Sequence, residues 1–298
     1  MSSTPPFAVE AGETLAGAFE GALAVLFYGS ALRTGERDGV LDFYVLTQEP
    51  PRGLRGLASR LLWPDVGYAE IGDAAGPLRA KVASMSLAQF QHAVSGRGLD
   101  TTVWARFAQP AALVWSDGPQ SSETVEAALA QAARTASRFA AVLGPPAGSP
   151  AAYWRALFRE TYAAEFRVER AGRERDILGA DVGRYEALLR QAWTADGIAY
   201  EAEPDGRLAP KLAPTERARL LRAWRLRRLM GRPLNIARLI KAAFTFDGAA
   251  RYAAWKIERH TGVVLAVTPW RERHPILAAP GALWRLWRAK ARGQPEAR

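Results

Sequence analysis

The first half of the chain alternates short apolar runs with polar or glycine-rich turns, a pattern typical of strands joined to helices. Five runs predict strands, over residues 22–27, 41–46, 66–71, 78–84 and 111–115. Helical spacing occurs over residues 14–23, 54–62 and 123–143, and Ser86 has the character of a helix N-cap. We therefore predict an α/β (α+β) domain built on a mixed sheet.

Residues 144–150 read Gly-Pro-Pro-Ala-Gly-Ser-Pro, a string that neither a helix nor a strand can contain in its interior. Beyond it, helical periodicity covers residues 151–170, 182–193 and 215–230, with one short extended candidate at 198–202. We predict three parts: a sheet domain over 1–145, a mostly helical domain over 150–247 and a basic C-terminal region over 248–298.

Charge is distributed unevenly along the 298 residues, whose net charge is +10. Residues 205–298 hold 21 Lys and Arg against 6 Asp and Glu, whereas the preceding residues hold 19 against 24. A basic C-terminal third suits a phosphate-rich partner, either nucleic acid or an anionic membrane surface. The chain has no Cys and only three scattered His, which argues against a zinc site or a His-centred triad.

The membrane alternative gains support from residues 281–292. As a helix, this segment would place Leu283, Leu286 and Trp287 on one face and arginines on the other, as in helices that lie flat in a lipid headgroup region. Docking of this helix on its own domain remains the alternative. The arginines of residues 217–228 go round their predicted helix, as in a solvated element, so we do not favour nucleic acid as the partner.

Candidate chemistry begins where the first predicted strand ends, at Tyr28-Gly29-Ser30. A strand that runs into Gly-Ser offers backbone N–H groups and a hydroxyl to an anion. Asp42, in the next predicted strand, offers the oxygen ligand that Mg²⁺ takes beside a triphosphate. The pair indicates nucleotidyl transfer, with an ordinary turn and a strand-edge acid as the structural alternative.

A longer ordered series of residues, from about 20 to 260, resembles the mitochondrial-type phosphatidate cytidylyltransferases. These are the peripheral CDP-diacylglycerol synthases of the translocator assembly and maintenance protein family. The matching pieces are Tyr28-Gly29-Ser30, Leu41-Asp42-Phe43, Glu49-Pro50, Lys81 with Ser86, Trp104 through Pro110, Thr161 through Arg167, and Arg232-Pro233 through Lys241 to Thr245.

The resemblance implies a nucleotidyltransferase fold, a winged-helix-like second domain and a C-terminal amphipathic helix that binds the membrane. It also implies a Mg²⁺-dependent transfer of CMP from CTP to phosphatidic acid, giving CDP-diacylglycerol and pyrophosphate. In a bacterial homologue, the enzyme would be cytoplasmic and peripheral on the inner face of the cell membrane. Transfer to another acceptor, or an inactive membrane-binding or nucleic-acid-binding adaptor, are the alternatives.

Carried over by residue, the resemblance assigns roles in nucleotide binding, catalysis, metal binding and substrate-phosphate binding. Many nucleotidyltransferases carry Asp-x-Asp on the second strand, but Tyr44 stands in the second place here, and we therefore propose Glu70 as the further carboxylate. The roles are nucleotide binding for Tyr28, Gly29, Ser30 and Arg106, catalysis for Asp42 and Lys81, Mg²⁺ binding for Asp42 and Glu70, and substrate-phosphate binding for Arg232 and Lys241.

Overall fold

A computed structural model of the protein describes residues 4–50, 53–72, 76–165, 178–179, 181–245, 248, 250–252, 254–255 and 267–270. Five strands form one mixed sheet in the order β3-β4-β2-β1-β5, in which only β2 and β4 are parallel. This confirms the predicted mixed α/β architecture. The strands are β1 (Ala22–Tyr28), β2 (Val40–Thr47), β3 (Asp65–Ile71), β4 (Leu78–Ser86) and β5 (Ala111–Ser116).

Helices cover both faces of the sheet because its central strands bury side chains in both directions. Helix α1 packs with Phe27 and Phe43 on one face, and α4, α5 and α6 pack with Leu26 and Leu46 on the other. The helices of this half are α1 (Pro6–Ala18), α2 (Ser30–Thr34), α3 (Gly53–Leu61), α4 (Leu87–Val94), α5 (Thr102–Phe107) and α6 (Pro119–Leu143). Helix α1 begins and ends earlier than predicted, since Pro6 occupies its first position.

The described part of the second half includes three long helices and a two-stranded antiparallel hairpin. These elements are α7 (Pro150–Ala164), α8 (Val182–Ala195), β6 (Ala199–Ala202), β7 (Leu208–Lys211) and α9 (Pro214–Thr245). Helix α9 continues well past the predicted end at residue 230. Gly231 lies against the backbone carbonyl of Ala164, where a Cβ would come within 2.4 Å of the oxygen, so α7 and α9 pack closely. That packing outweighs the hydrogen bond lost at Pro233, which is exposed.

The two halves share one hydrophobic cluster. Helix α6 ends and α7 begins on either side of the predicted linker. Trp104 of α5 nevertheless stacks on Phe139 of α6 with ring centroids 5.5 Å apart, and Trp224 of α9 lies 5.6 Å from Phe139. The predicted domain limits stay a prediction, and the predicted helix at 281–292 lies outside the described residues. Within the described part of the chain, no helix is long and apolar enough to cross a membrane.

Candidate functional site

Four side chains lie in one row across the sheet. Tyr28 of β1 is opposite Asp42 of β2, Asp42 is in register with Lys81 of β4, and Lys81 is opposite Tyr68 of β3. Residues paired in this way point to the same face, and neighbouring strands are about 4.8 Å apart. The fold therefore brings together the carboxylate and the ammonium group that we predicted from the sequence.

The Gly29 turn closes over the carboxylate of Asp42. Gly29 has φ 96°, in the region that favours glycine, and Ser30 begins the short helix α2 beside it. A Cβ at Gly29 would lie 2.9 Å from Oδ2 of Asp42, closer than real Cβ atoms come to their neighbours. The turn and the acid are thus in contact, as a joint nucleotide and metal site would require.

We expect Gly29→Ala to weaken the binding of CTP with Mg²⁺ by about tenfold or more, because the new methyl group would displace the Asp42 carboxylate. Gly35→Ala is the matched control. Gly35 also has a positive φ, 72°, but a Cβ there would have nothing within 4 Å. Both substitutions should cost about 1–2 kcal/mol of stability through the backbone. Calorimetric titration measures the difference, and equal affinities for the two variants would contradict the prediction.

Arg106 of α5 joins the row through Tyr28. Its Nη1 donates to the Tyr28 hydroxyl at 3.1 Å, and its guanidinium carbon lies 5.0 Å from the centre of the tyrosine ring. Burial lowers the pKa of Arg106, but nearby Tyr28, Tyr44 and Asp42 outweigh that effect and raise the pKa overall. Nε of Arg106 is buried and has no hydrogen-bond partner among the described residues. This arginine is therefore charged, and it has one buried donor whose hydrogen-bonding capacity is not used by the described residues.

Burial also acts on the hydroxyl of Tyr28. It raises the pKa of this tyrosine; Arg106 opposes the shift, and Asp42 and Tyr44 add to it. The hydroxyl accepts a hydrogen bond from Arg106 and keeps its own proton. Tyr28 can therefore act as a hydrogen-bond donor beside the Asp42 carboxylate.

The place of a second carboxylate on β2 is filled by an aromatic side chain in the core. Tyr44 is buried, with its ring centroid 5.0 Å from that of Phe107 and 5.6 Å from that of Tyr28. An aspartate in this position would leave its charge among aromatic rings, at a large desolvation cost. Tyr44 therefore packs in the core on the same face of the sheet as Asp42 and is not a second carboxylate for a metal.

Glu70 is not brought to Asp42. It lies on β3, two strands from β2, and faces Arg79 across the β3–β4 pair. Two strand spacings are about 10 Å, whereas two ligands of one Mg²⁺ are each about 2.1 Å from the ion. Its Oε1 accepts a hydrogen bond from the Tyr68 hydroxyl at 3.0 Å instead. Burial and this hydrogen bond raise the pKa of Tyr68 to about 12.

The residues of the row can still accommodate Mg²⁺. In the parts of the chain that the structure describes, no three His, Cys, Asp or Glu side chains form a group that could hold a metal ion. Mg²⁺ beside a nucleotide is, however, commonly held by one or two carboxylates together with phosphate oxygens. Asp42, partly exposed at the end of the sheet and in contact with the Gly29 turn, fits that role as a single protein ligand.

The two substrate-phosphate candidates of α9 lie elsewhere. The ammonium group of Lys241, with a side chain only 5% exposed, donates to the carbonyls of Leu62 and Pro64 and to Asp65, the last at 2.8 Å. A lysine has three donors, and all three are used in joining α9 to the start of β3. Arg232 is exposed on α9. The structure therefore places neither in the row, and the position of Lys241 indicates a structural role.

Three buried or nearly buried charged residues were missed in the sequence analysis, namely Glu165, which acts on Arg106, and the pair of Asp100 and Arg238. Glu165, at the end of α7, is buried and accepts a hydrogen bond from Thr101 at 3.0 Å. Arg238 of α9 pairs with Asp100 at 2.9 Å. Burial lowers the pKa of Arg238, but Asp100 and Glu165 contribute to a net rise. The sequence did contain a signal for Glu165, because this residue occupies the acid position of the Asp-Phe-Arg motif in the family that the chain resembles.

No protein-family model matches the sequence, and no curated protein is significantly similar to it.

Proposed function

We propose that this protein is a Mg²⁺-dependent nucleotidyltransferase that transfers CMP from CTP to phosphatidic acid, giving CDP-diacylglycerol and pyrophosphate. The observation that carries the proposal is the in-register pair of Asp42 and Lys81 beside the Gly29 turn. Phosphoryl and nucleotidyl transfer need a carboxylate for the metal and cations for the phosphate oxygens. The choice of CTP and phosphatidic acid within this reaction class comes from the family resemblance.

The proposed fold is that of a nucleotidyltransferase followed by a winged-helix-like domain. Support comes from the five-stranded mixed sheet and from the β6–β7 hairpin set among α7, α8 and α9. The enzyme would work at a membrane surface, where its lipid substrate and its CDP-diacylglycerol product reside.

Each residue of the row has a distinct task in this proposal. Bound Mg²⁺ would neutralise charge on the phosphates of CTP and on the pyrophosphate that leaves. Asp42 would hold the metal together with phosphate oxygens, and the Gly29-Ser30 turn would bind the triphosphate. Lys81 and Arg106 would bind phosphate oxygens and keep the α-phosphate oriented toward the incoming acceptor. Tyr28, held by Arg106, would donate a hydrogen bond beside them.

The acceptor needs little activation. A phosphomonoester has a second pKa of about 6, so the phosphate of phosphatidic acid is already an anionic nucleophile near neutral pH. Its oxygen would attack the α-phosphorus of CTP, and the bond from that phosphorus to the oxygen that bridges the α- and β-phosphates would break, so that this oxygen leaves with pyrophosphate. The protein contributes alignment and charge compensation.

The test is turnover by the purified protein with CTP, Mg²⁺ and phosphatidylcholine vesicles that contain phosphatidic acid. We expect release of pyrophosphate together with formation of CDP-diacylglycerol. Pyrophosphate release with another acceptor, such as an RNA end, would keep the nucleotidyltransferase assignment and replace the substrate. Absence of turnover with every nucleotide and acceptor tried would overturn the proposal, and absence of CTP binding in addition would identify an inactive adaptor.

A further inference from the structure

Helix α9 carries large aliphatic side chains on the side that faces away from the protein. Its inward side is formed by residues such as Leu220, Trp224 and Gly231, which are buried. On the outward side Leu229 is 70% exposed, and the other members are between about a third and three fifths exposed. The exposed aliphatic residues are Leu226, Leu229, Met230, Ile236, Leu239 and Ile240.

Most of these residues form one stripe. At 100° per residue, Leu226, Leu229, Met230, Ile236 and Ile240 fall on a single side of the helix, and they extend over roughly 21 Å of its length. Leu239 lies to one side of this line. A continuous exposed aliphatic stripe of this length is characteristic of a surface that meets another apolar phase.

Arginines flank the stripe along one side and at one end. Helix α9 has eight Arg and one Lys against a single Glu, which lies in its first turn. Arg222 continues the line of the stripe toward the N-terminus of the helix, and Arg225, Arg228 and Arg232 run along one side, all exposed. Arg227 is the exception, because it is buried against the ring of Phe139 and the carbonyls of Gly96 and Gly98.

We propose that the outward side of α9 is a docking surface for an anionic lipid membrane. Aliphatic side chains would enter the headgroup and acyl boundary, while the arginines would contact lipid phosphates, as in helices that lie in the interface plane. Each such arginine contributes about 1 kcal/mol of attraction near an anionic leaflet. This surface is separate from the predicted helix at 281–292.

Charge decides between a membrane and other occupants. In an antiparallel pair of α9 helices about a two-fold axis, a second copy of the chain would bring one arginine row against the same row of its partner. Residues 246–298, which follow α9, hold ten Lys and Arg against four Asp and Glu, so this segment repels the arginines instead of complementing them. Binding of single-stranded nucleic acid uses aromatic stacking platforms, whereas the exposed members of the stripe are aliphatic. A lipid surface supplies both the negative charge and the apolar interior.

This inference names the face of the protein that meets the membrane. Only the biological reason for membrane binding, access to a lipid substrate, rests on the proposed function. The experiment below uses neither CTP nor phosphatidic acid. A failure of lipid docking and a failure of nucleotidyl transfer can therefore be distinguished.

Because the chain has no Cys, single cysteines can carry an environment-sensitive fluorophore in the full-length protein. Leu229→Cys and Ile236→Cys test the stripe, and Glu13→Cys, exposed on α1 at the other face of the sheet, is the control. With vesicles of phosphatidylcholine and phosphatidylglycerol, we expect a blue shift and a several-fold rise in emission at 229 and 236 but not at 13. Unchanged emission at both stripe positions while the protein sediments with the vesicles would overturn the proposal.

A charge variant provides the second arm. Arg222→Gln, Arg225→Gln and Arg228→Gln together should weaken vesicle binding by about fivefold for each arginine removed. The matched control removes the same charge from exposed arginines on other elements, with Arg60→Gln, Arg97→Gln and Arg155→Gln. Equal weakening by both triple variants would show a general charge effect and reject α9 as the docking surface. A lipid-independent shift at 229 that depends on protein concentration would identify a second copy as the occupant.

Discussion

Asp42→Asn is expected to lower the rate of pyrophosphate release from CTP by about a thousandfold or more. The amide keeps the size of the side chain but loses the negative charge that would hold Mg²⁺ beside the triphosphate. Since Asp42 is partly exposed near the start of β2, we expect the free energy of unfolding to change by no more than about 1.5 kcal/mol. Turnover with phosphatidic acid vesicles and urea denaturation measure the two effects.

The matched control for Asp42→Asn is Glu70→Gln. It makes the same chemical change on β3, two strands away, where the carboxylate accepts a hydrogen bond from Tyr68. We expect this variant to keep close to the wild-type rate. An equal loss of rate in both variants would assign the metal to both carboxylates after a rearrangement of β3. Full turnover by Asp42→Asn would contradict the proposed site.

Asp100→Asn is expected to lower the free energy of unfolding by about 3–5 kcal/mol. The Asp100 carboxylate accepts hydrogen bonds from Nη1 of Arg238 at 2.9 Å and from the backbone N–H of Thr102 at 3.1 Å. Asparagine can keep the bond to Thr102 but leaves Arg238, whose side chain is 14% exposed, without its counter-charge. Chemical denaturation followed by circular dichroism measures the loss.

The double variant Asp100→Asn with Arg238→Met is the control for this pair. It should be more stable than the sum of the single losses implies, because neither charge is left buried alone. Strictly additive losses would show that Asp100 and Arg238 act independently.

The pair also predicts how stability depends on pH. Burial raises the pKa of Asp100, but Arg238 and the hydrogen bonds from Thr102 outweigh burial and lower the pKa overall. The unfolded chain has the ordinary value of about 3.9, so the stabilisation is complete above that pH and is lost as the pH falls through the lower folded pKa. Asp100→Asn should therefore flatten the acid side of the stability profile. An unchanged profile would contradict this assignment.

The strands and most helices could be predicted from the sequence because the signals for them lie in neighbouring residues. Apolar runs gave all five strands of the sheet to within two residues at each end. The N-cap predicted at Ser86 is confirmed in full, since Ser86 and Gln89 form a capping box at the start of α4. Helix α9 was predicted too short, because the contact of Gly231 with Ala164 that stabilises it across Pro233 joins residues distant in sequence.

The site could be predicted only as far as residue type allows. Asp42 and Lys81 are 39 positions apart, and only the parallel pairing of β2 with β4 makes them neighbours. Glu70 has suitable chemistry, but the strand order inserts β4 between it and Asp42. Lys241 matches a motif by residue type, although the carbonyl groups that hold it come from the segment between α3 and β3. The spacing of residues along the sequence does not reveal the order of strands in a sheet or the hydrogen bonds between distant segments.

The stack of Trp104, Phe139 and Trp224 constrains how the two halves of the protein can evolve. It joins α5, which carries Arg106, to α9, which carries the aliphatic stripe. Segments that share a core tend to open and close as one cooperative unit. A nucleotide that steadies α5 would then slow amide exchange in α9 as well. Recombination that replaced the sheet or the helices alone would split this stack, so the two halves would have to evolve together.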